Sequence, residues 1–177
     1  YEYVRSALKL GLSQKAKLGT NPFKLGMIGS TDSHTSLATA DENNFWGKQS
    51  LSEPSSHRVT SVDGKIKPEE FAASGYAAIW ATDNTREALF SSMKRKEVYA
   101  TTGPRMTVRF FGGWDYEISD AQKPDLASIG YSKGVPMGGD LTVGPKGKSP
   151  DFLIRAVKDP DGANLDRVQE IGRASCR

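Results

Sequence analysis

The stretch Lys24-Leu25-Gly26-Met27-Ile28-Gly29-Ser30-Thr31-Asp32-Ser33-His34-Thr35 constrains the chain most. An apolar run gives way to small residues, which then present a carboxylate and an imidazole two positions apart. A run as short as Phe23–Ile28, with Pro22 before it and Gly29 after it, favours a buried strand over a helix. If residues 30–34 stay extended, Asp32 and His34 share a face, because side chains on one side of a strand recur every two residues. A carboxylate oxygen and an imidazole nitrogen converging at a strand's end form half a site for a borderline divalent cation such as zinc, manganese or iron. Gly29, Ser30 and Ser33 are small enough to leave room for a cation or a substrate. The plainer reading is a turn, since Asp and Ser after a strand bond their own backbone.

On either side of this stretch the pattern is helical, then irregular, then alternating. Val4, Leu8, Leu12 and Ala16 recur every four residues, with Ala7 alongside, so residues 2–18 form a helix with one apolar stripe. Lys15 and Lys17 suit its C-terminal end, Gly19 supplies the cap, and Pro22 prevents continuation. Residues 35–67 show no period. A loop that long, directly after Asp32 and His34, is expected to lie over the site. Phe45 and Trp46 read as its anchors, and His57 as a residue that could orient substrate. Pro68 opens a short helix that ends at Gly75, and residues 76–81 form a short buried strand. Asn84 and Glu87 are spaced as a capping box for a helix running to about Lys96, with Ala88, Leu89 and Met93 facing inward. Residues 98–100 form a further strand. The strand–helix–strand rhythm predicts parallel strands covered by helices, with ligand chemistry collecting at the C-terminal strand ends. Two such ends stand out, Thr31–His34 and Thr101–Arg105, and the fixed cation of Arg105 suits a phosphate or carboxylate.

After Arg105 the period falls to two. Met106, Val108 and Phe110 alternate with Thr107, Arg109 and Phe111 until Gly112-Gly113. A helical turn is expected around Leu126 to Ile129. A turn-rich connector follows at 135–141, then a second alternating strand at 152–158. Asp159-Pro160-Asp161-Gly162 forms a turn, and another strand begins at Leu165. This half is antiparallel β in character, which places a boundary near Arg105 and Met106.

Composition excludes several classes. A net charge of +3 is too small to indicate a nucleic-acid partner. No apolar run approaches the length of a membrane span, and the sequence opens directly into the first helix, which leaves localisation open. The one cysteine, Cys176, offers neither a disulfide framework nor a thiolate metal site. It lies in Glu170-Ile171-Gly172-Arg173-Ala174-Ser175-Cys176-Arg177, which reads as a translated sequencing adapter outside the fold. Phosphate-cradling loops, dinucleotide fingerprints and nucleophile elbows are absent from the sequence.

Gly29-Ser30-Thr31-Asp32-Ser33-His34-Thr35 resembles the late metal-binding motif of the polymerase-and-histidinol-phosphatase (PHP) superfamily. Tyr99-Ala100-Thr101-Thr102-Gly103-Pro104-Arg105 resembles a second segment of one PHP-related branch, which includes DUF3604 proteins and carbaryl-hydrolase-like metallohydrolases. The likeness to DUF3604 continues through Asn43–Lys48, Asn84–Leu89 and Val135–Leu141, and ends near Asp159–Arg167. It implies an α/β fold in which residues 1–105 are the C-terminal portion of a distorted PHP-like βα barrel. Residues 106–169 would begin a β-rich, sandwich-like appendage, and 170–177 would belong to neither. It implies Asp32 and His34 as metal ligands and catalytic residues; beside them, Arg105, Thr102 and His57 are expected to contact a small substrate, with Arg105 suited to an anionic one. The implied chemistry is hydrolysis of a phosphoester, ester, amide or carbamate by a hydroxide on a divalent metal (zinc, manganese or iron). The family's early His-x-His ligands do not occur in these residues and are expected upstream. Two other readings stay open: a non-catalytic binding or structural module in which Asp32 and His34 bond within the loop, and an anion-binding domain that uses Arg105 without metal.

Overall fold

A computed structural model of the chain describes residues 3–30, 32–34 and 75–170. The segment containing Phe45, Trp46 and His57, the helix expected from Pro68, and the tail from Ile171 lie outside the described residues.

Helix α1 spans Val4–Leu18 and ends where expected, with Gly19 at φ +76° and its N–H bonded to the Lys15 carbonyl at 2.9 Å. Its packed position is not on the apolar stripe. Gly11 is its buried residue, because the Asn21 side chain folds over it where a Cβ would stand. Val4 and Leu12 of the stripe are about half exposed. The expected strand at 23–28 does not form. The run follows the direction of strand β2 (Val98–Thr101) without pairing to it: a Cβ on Gly26 would stand 2.9 Å from Lys96 Cγ, and one on Gly29 would stand 2.6 Å from Ala100 Cβ. The run meets its neighbour through side-chain positions and not through a ladder. Leu25, Met27 and Ile28 are accordingly 52%, 53% and 55% exposed, not buried.

Strand β1 (Tyr76–Ile79), helix α2 (Arg86–Lys94) and β2 follow in the expected order, but the expected parallel arrangement is overturned. β1 and β2 are antiparallel, with Tyr76 opposite Thr101 and Ile79 opposite Val98. Helix α2 is therefore an insertion in a hairpin. It leaves and rejoins the same end of the strand pair, where Trp80 N–H donates to the Glu97 carbonyl at 3.1 Å. The cap is Thr85 and not Asn84: its hydroxyl accepts from Ala88 N–H at 3.3 Å. Met93 faces outward, and the buried position is Ser92, whose hydroxyl returns a bond to the Ala88 carbonyl at 2.9 Å.

The second half is β-rich and antiparallel, as its period of two predicts. Strand β3 (Thr107–Gly113) is central, between β4 (Gly134–Pro136) and β5 (Asp151–Val157). Thr107 pairs with Val157, Gly113 with Asp151, and Phe111 with both Leu153 and Pro136. Gly112 and Gly113 continue β3, where the sequence suggested a break. A Cβ on Gly113 would stand 2.6 Å from the Tyr116 ring, so the bare backbone admits that ring to the sheet. A 3-10 turn at Ile118–Gln122 and helix α3 (Leu126–Lys133) cover the sheet, with Gly130 directly over the Phe111 ring. Phe111, Leu126 and Leu153, at 0%, 2% and 3% exposure, form the apolar core among the described residues, with Tyr116 and Ile129 against it. The turn at Asp159 forms, with Gly162 N–H to the Asp159 carbonyl at 3.1 Å. The strand expected from Leu165 does not. The described residues thus make a mixed α/β fold of two small antiparallel sheets and three helices, with no closed barrel among them.

Candidate functional site

The two stretches singled out by sequence meet at one end of the β1–β2 pair. Gly75, at φ +74°, leads into β1, and a Cβ there would stand 2.6 Å from the Ser30 carbonyl oxygen and 3.2 Å from that of Thr101. Only glycine gives the chain that path between two carbonyls. Asp32 follows Ser30 by two residues, and Thr102 and Arg105 follow Thr101. The antiparallel pairing therefore gathers residues from three parts of the chain at this end.

Asp32 Oδ1 and His34 Nε2 lie 3.2 Å apart. The extended backbone that motivated this convergence is not what produces it. Asp32 is in the left-handed region at φ +54°, and its N–H donates to Ser30 Oγ at 3.3 Å. Asp tolerates this conformation better than most side chains because it bonds locally, yet a non-glycine residue there still marks a locally constrained backbone. Both side chains open to solvent, at 73% exposure for Asp32 and 55% for His34. Two ligands bound at about 2.0–2.2 Å in a tetrahedral shell stand roughly 3.3 Å apart. The observed separation and the oxygen–nitrogen donor set therefore fit two positions of such a shell. Among the described residues no group of three or more His, Cys, Asp or Glu side chains gathers as a metal site.

Arg105 is held from both sides. Its guanidinium lies 5.5 Å from the Tyr76 ring centroid and Nη2 is 3.4 Å from the Tyr76 hydroxyl, while its backbone N–H donates to Asp159 Oδ2. That bond, with a second from Asp161 N–H, holds the Asp159 carboxyl below the usual carboxylate range. Thr102 is exposed in the same turn. Sequence reading missed Tyr76 and Asp159, because their partners are 29 and 54 residues away. The one available signal was the Asp-Pro-Asp-Gly turn, which fixes where Asp159 points.

Sequence also missed a polar cluster, built around the buried Glu97 carboxylate, that fastens the two sheets together. The Glu97 carboxylate accepts from the Tyr131 hydroxyl and from Arg95 Nη2 at 3.4 Å, with Arg109 Nη1 at 3.5 Å. The Arg109 guanidinium stacks 3.4 Å from the Trp80 ring centroid, and Trp80 Nε1 donates to the Val108 carbonyl at 2.9 Å. Burial, and then the Glu97 bond, push the Tyr131 phenol above its ordinary pKa.

Fold and site together define a mixed α/β protein with an exposed carboxylate–imidazole pair beside a tethered arginine. The chain belongs to the DUF3604 family, described as a protein family of unknown function, whose model matches residues 1–173. No curated protein and no solved structure matches the chain. No helix among the described residues is long and apolar enough to cross a membrane.

Proposed function

We propose that the chain is part of a metal-dependent hydrolase of the PHP-like kind, with Asp32 and His34 as two of the metal's ligands and residues 1–105 as the closing portion of a βα barrel. The observation that carries this reading is the 3.2 Å convergence of Asp32 Oδ1 and His34 Nε2 with both groups open to solvent. The spacing suits zinc, manganese or iron. Such a cation, when bound, acidifies its water and polarises a phosphoryl or carbonyl oxygen. This chain's own residues hold and orient. The left-handed turn at Asp32 aims its carboxylate at the imidazole, and Tyr76 keeps the Arg105 guanidinium at the same end of the strand pair. A planar guanidinium there suits a phosphate or carboxylate on a small substrate, and Thr102, exposed in the same turn, belongs to the proposal as a further contact. His57 belongs to this proposal as a further substrate contact.

A second reading is a non-catalytic binding or structural module without metal. What favours it is the Asp32–His34 hydrogen bond itself, which pairs the two groups with each other within the loop.

Metal content separates the two. The hydrolase reading expects stoichiometric transition metal in the full-length protein, measured by plasma mass spectrometry. It also expects chelator-sensitive turnover in a screen of phosphoesters, esters, amides and carbamates. Asp32→Ala and His34→Ala should each lower kcat/KM by roughly a hundredfold or more, since loss of even a ligand-supporting residue costs about 10–100-fold. Arg105→Ala should raise KM more than it lowers kcat. Turnover that survives chelation and both ligand substitutions would sink the hydrolase reading.

A further inference from the structure

The other end of β2 carries a second constellation, apart from Asp32 and His34. Helix α2 closes with Glu97 N–H on the Ser92 carbonyl at 3.1 Å and Lys96 N–H on the Met93 carbonyl at 2.9 Å. This pair of bonds forces the residue between them into the left-handed region, where glycine is the usual occupant because a Cβ is strained there. Here that residue is Lys96, at φ +64°. Its side chain passes between two glycines. A Cβ on Gly26 would stand 2.9 Å from Lys96 Cγ, and one on Gly138 would stand 2.6 Å from Lys96 Cβ. Chain regions more than a hundred residues apart thus leave room for a lysine where the helix end alone would favour glycine.

The space that Lys96 enters is a cleft of about 390 Å³, within the roughly 300–1,000 Å³ of small-molecule sites. Leu8, Leu12, Phe23 and Leu141 give it an apolar lining. Its charged lining is Lys15, Lys24, Lys96 and Asp140. Lys24 Nζ bonds Asp140 at 2.6 Å, and no ion pair engages Lys15 or Lys96 among the described residues. All three ammonium groups act on Asp140. Lys24 depresses its carboxyl pKa most, through its hydrogen bond, and Lys96 and Lys15 add to that through their fields. Three cations and one carboxylate leave an excess of positive charge beside exposed apolar surface. The apolar lining gains by leaving water and the lysines attract an anion, so together they complement a ligand with an anionic head and an apolar body.

We propose that this cleft binds a small amphiphilic anion of the size and chemistry of a medium-chain carboxylate, its head between Lys15 and Lys96 and its body against Leu8, Leu12 and Phe23. The site stands one strand length, about 13 Å, along β2 from the Asp32–His34 end, so it does not depend on the hydrolase reading.

The test is calorimetric titration of the intact chain with sodium decanoate at low salt, with inorganic phosphate and decanol as the charge-only and apolar-only arms. Saturable decanoate binding is expected, at least about tenfold tighter than either control, because each control removes one half of the complementarity. Lys96→Met keeps the stem and removes the charge, and should weaken decanoate about fivefold. Lys96→Gly should weaken it as much while leaving the melting temperature equal or higher, because the backbone strain is relieved. Independently of any variant, decanoate should slow acetylation of Lys15 and Lys96 relative to Lys9 and Lys17 on the exposed part of α1. The proposal is overturned by the absence of saturable binding, by equal affinity for decanoate and either control, or by lysine protection that does not favour Lys15 and Lys96. Self-association through this face that decanoate fails to displace would assign it to a second copy of the chain and overturn the proposal as well.

Discussion

The two sheets are built on opposite terms. Around β3, every fully buried apolar side chain finds partners from three elements: Phe111 from the central strand, Leu153 from its neighbour and Leu126 from the covering helix. Around β1 and β2 the described buried positions are small or polar, namely Gly11, Gly75, Ser92, Glu97 and Thr101, while Leu10, Leu12, Leu25, Met27 and Ile28 remain about half exposed. Among the described residues, the region holding Asp32, His34 and Arg105 is therefore held by caps, glycine contacts and ion pairs, and the other by a dry core. Apolar burial stabilises in proportion to area, whereas exposed polar contacts contribute little each. The difference teaches that the site-bearing end leans on the β-rich end, through the cluster of Glu97, Arg109, Tyr131 and Trp80.

The sharpest way to break that contrast is to remove the dry core. Phe111→Ala should cost about 3–5 kcal/mol, the usual range for truncating a fully buried aromatic. If the site-bearing end leans on the core, amide exchange in β1 and β2 should accelerate together with that in β3 and β5. Unchanged protection in β1–β2 would show that end to be independent.

Glu97→Ala cuts the cluster between the sheets. It leaves Arg109 facing a vacated buried position, and should cost about 2–3 kcal/mol, below the full cost of breaking a buried pair because Arg95 is half exposed. A double-mutant cycle with Arg109→Met in chemical denaturation reads the coupling directly. A coupling near zero would mean that the sheets are held by other contacts.

Acid sharpens the comparison from the β-rich side. Asp120 is buried and accepts from Lys133 Nζ at 2.7 Å, Lys123 Nζ at 3.0 Å and Glu117 N–H at 3.0 Å. The bond from Lys133 above all holds its carboxyl far below the ordinary range. Its folded pKa lies below its unfolded value of about 3.9, so the stability it contributes is present above that pH and is lost as pH falls towards the folded value. The urea midpoint should therefore fall below about pH 4, and Asp120→Asn should flatten that acid limb while lowering stability at neutral pH. An acid limb of the same slope in the variant would assign the loss to other carboxylates.

The smallest effect belongs to the site-bearing side. Lys24 and Asp140 make a 2.6 Å ion pair, but their side chains are 39% and 66% exposed. Lys24→Ala should cost less than about 1 kcal/mol by thermal denaturation, and less still at high salt. A larger loss would show that this pair carries the contact between the segment after α1 and the connector after β4.

Where neighbouring residues decide, the sequence was enough. Gly19 ends α1 because a left-handed cap without a Cβ costs nothing there, and the period of two after Met106 became β3 and β5 in an antiparallel sheet. The closeness of Asp32 and His34 was expected from their spacing, but a left-handed turn at Asp32 produces it in place of the extended strand. Direction and burial were not legible. The rhythm of strand, helix and strand does not say whether the helix crosses the sheet or returns to its starting end. Here the bond from Trp80 to Glu97 closes a hairpin instead. Nor does an apolar run say what will cover it, so Phe23–Ile28 became an unpaired segment beside β2 instead of a buried strand. Tertiary structure alone brought Tyr76 and Asp159 to Arg105, Tyr131 and Arg109 to Glu97, and Gly138 to Lys96. Each of these joins residues from different elements, and no local propensity or spacing encodes contacts that exist only once the elements have packed.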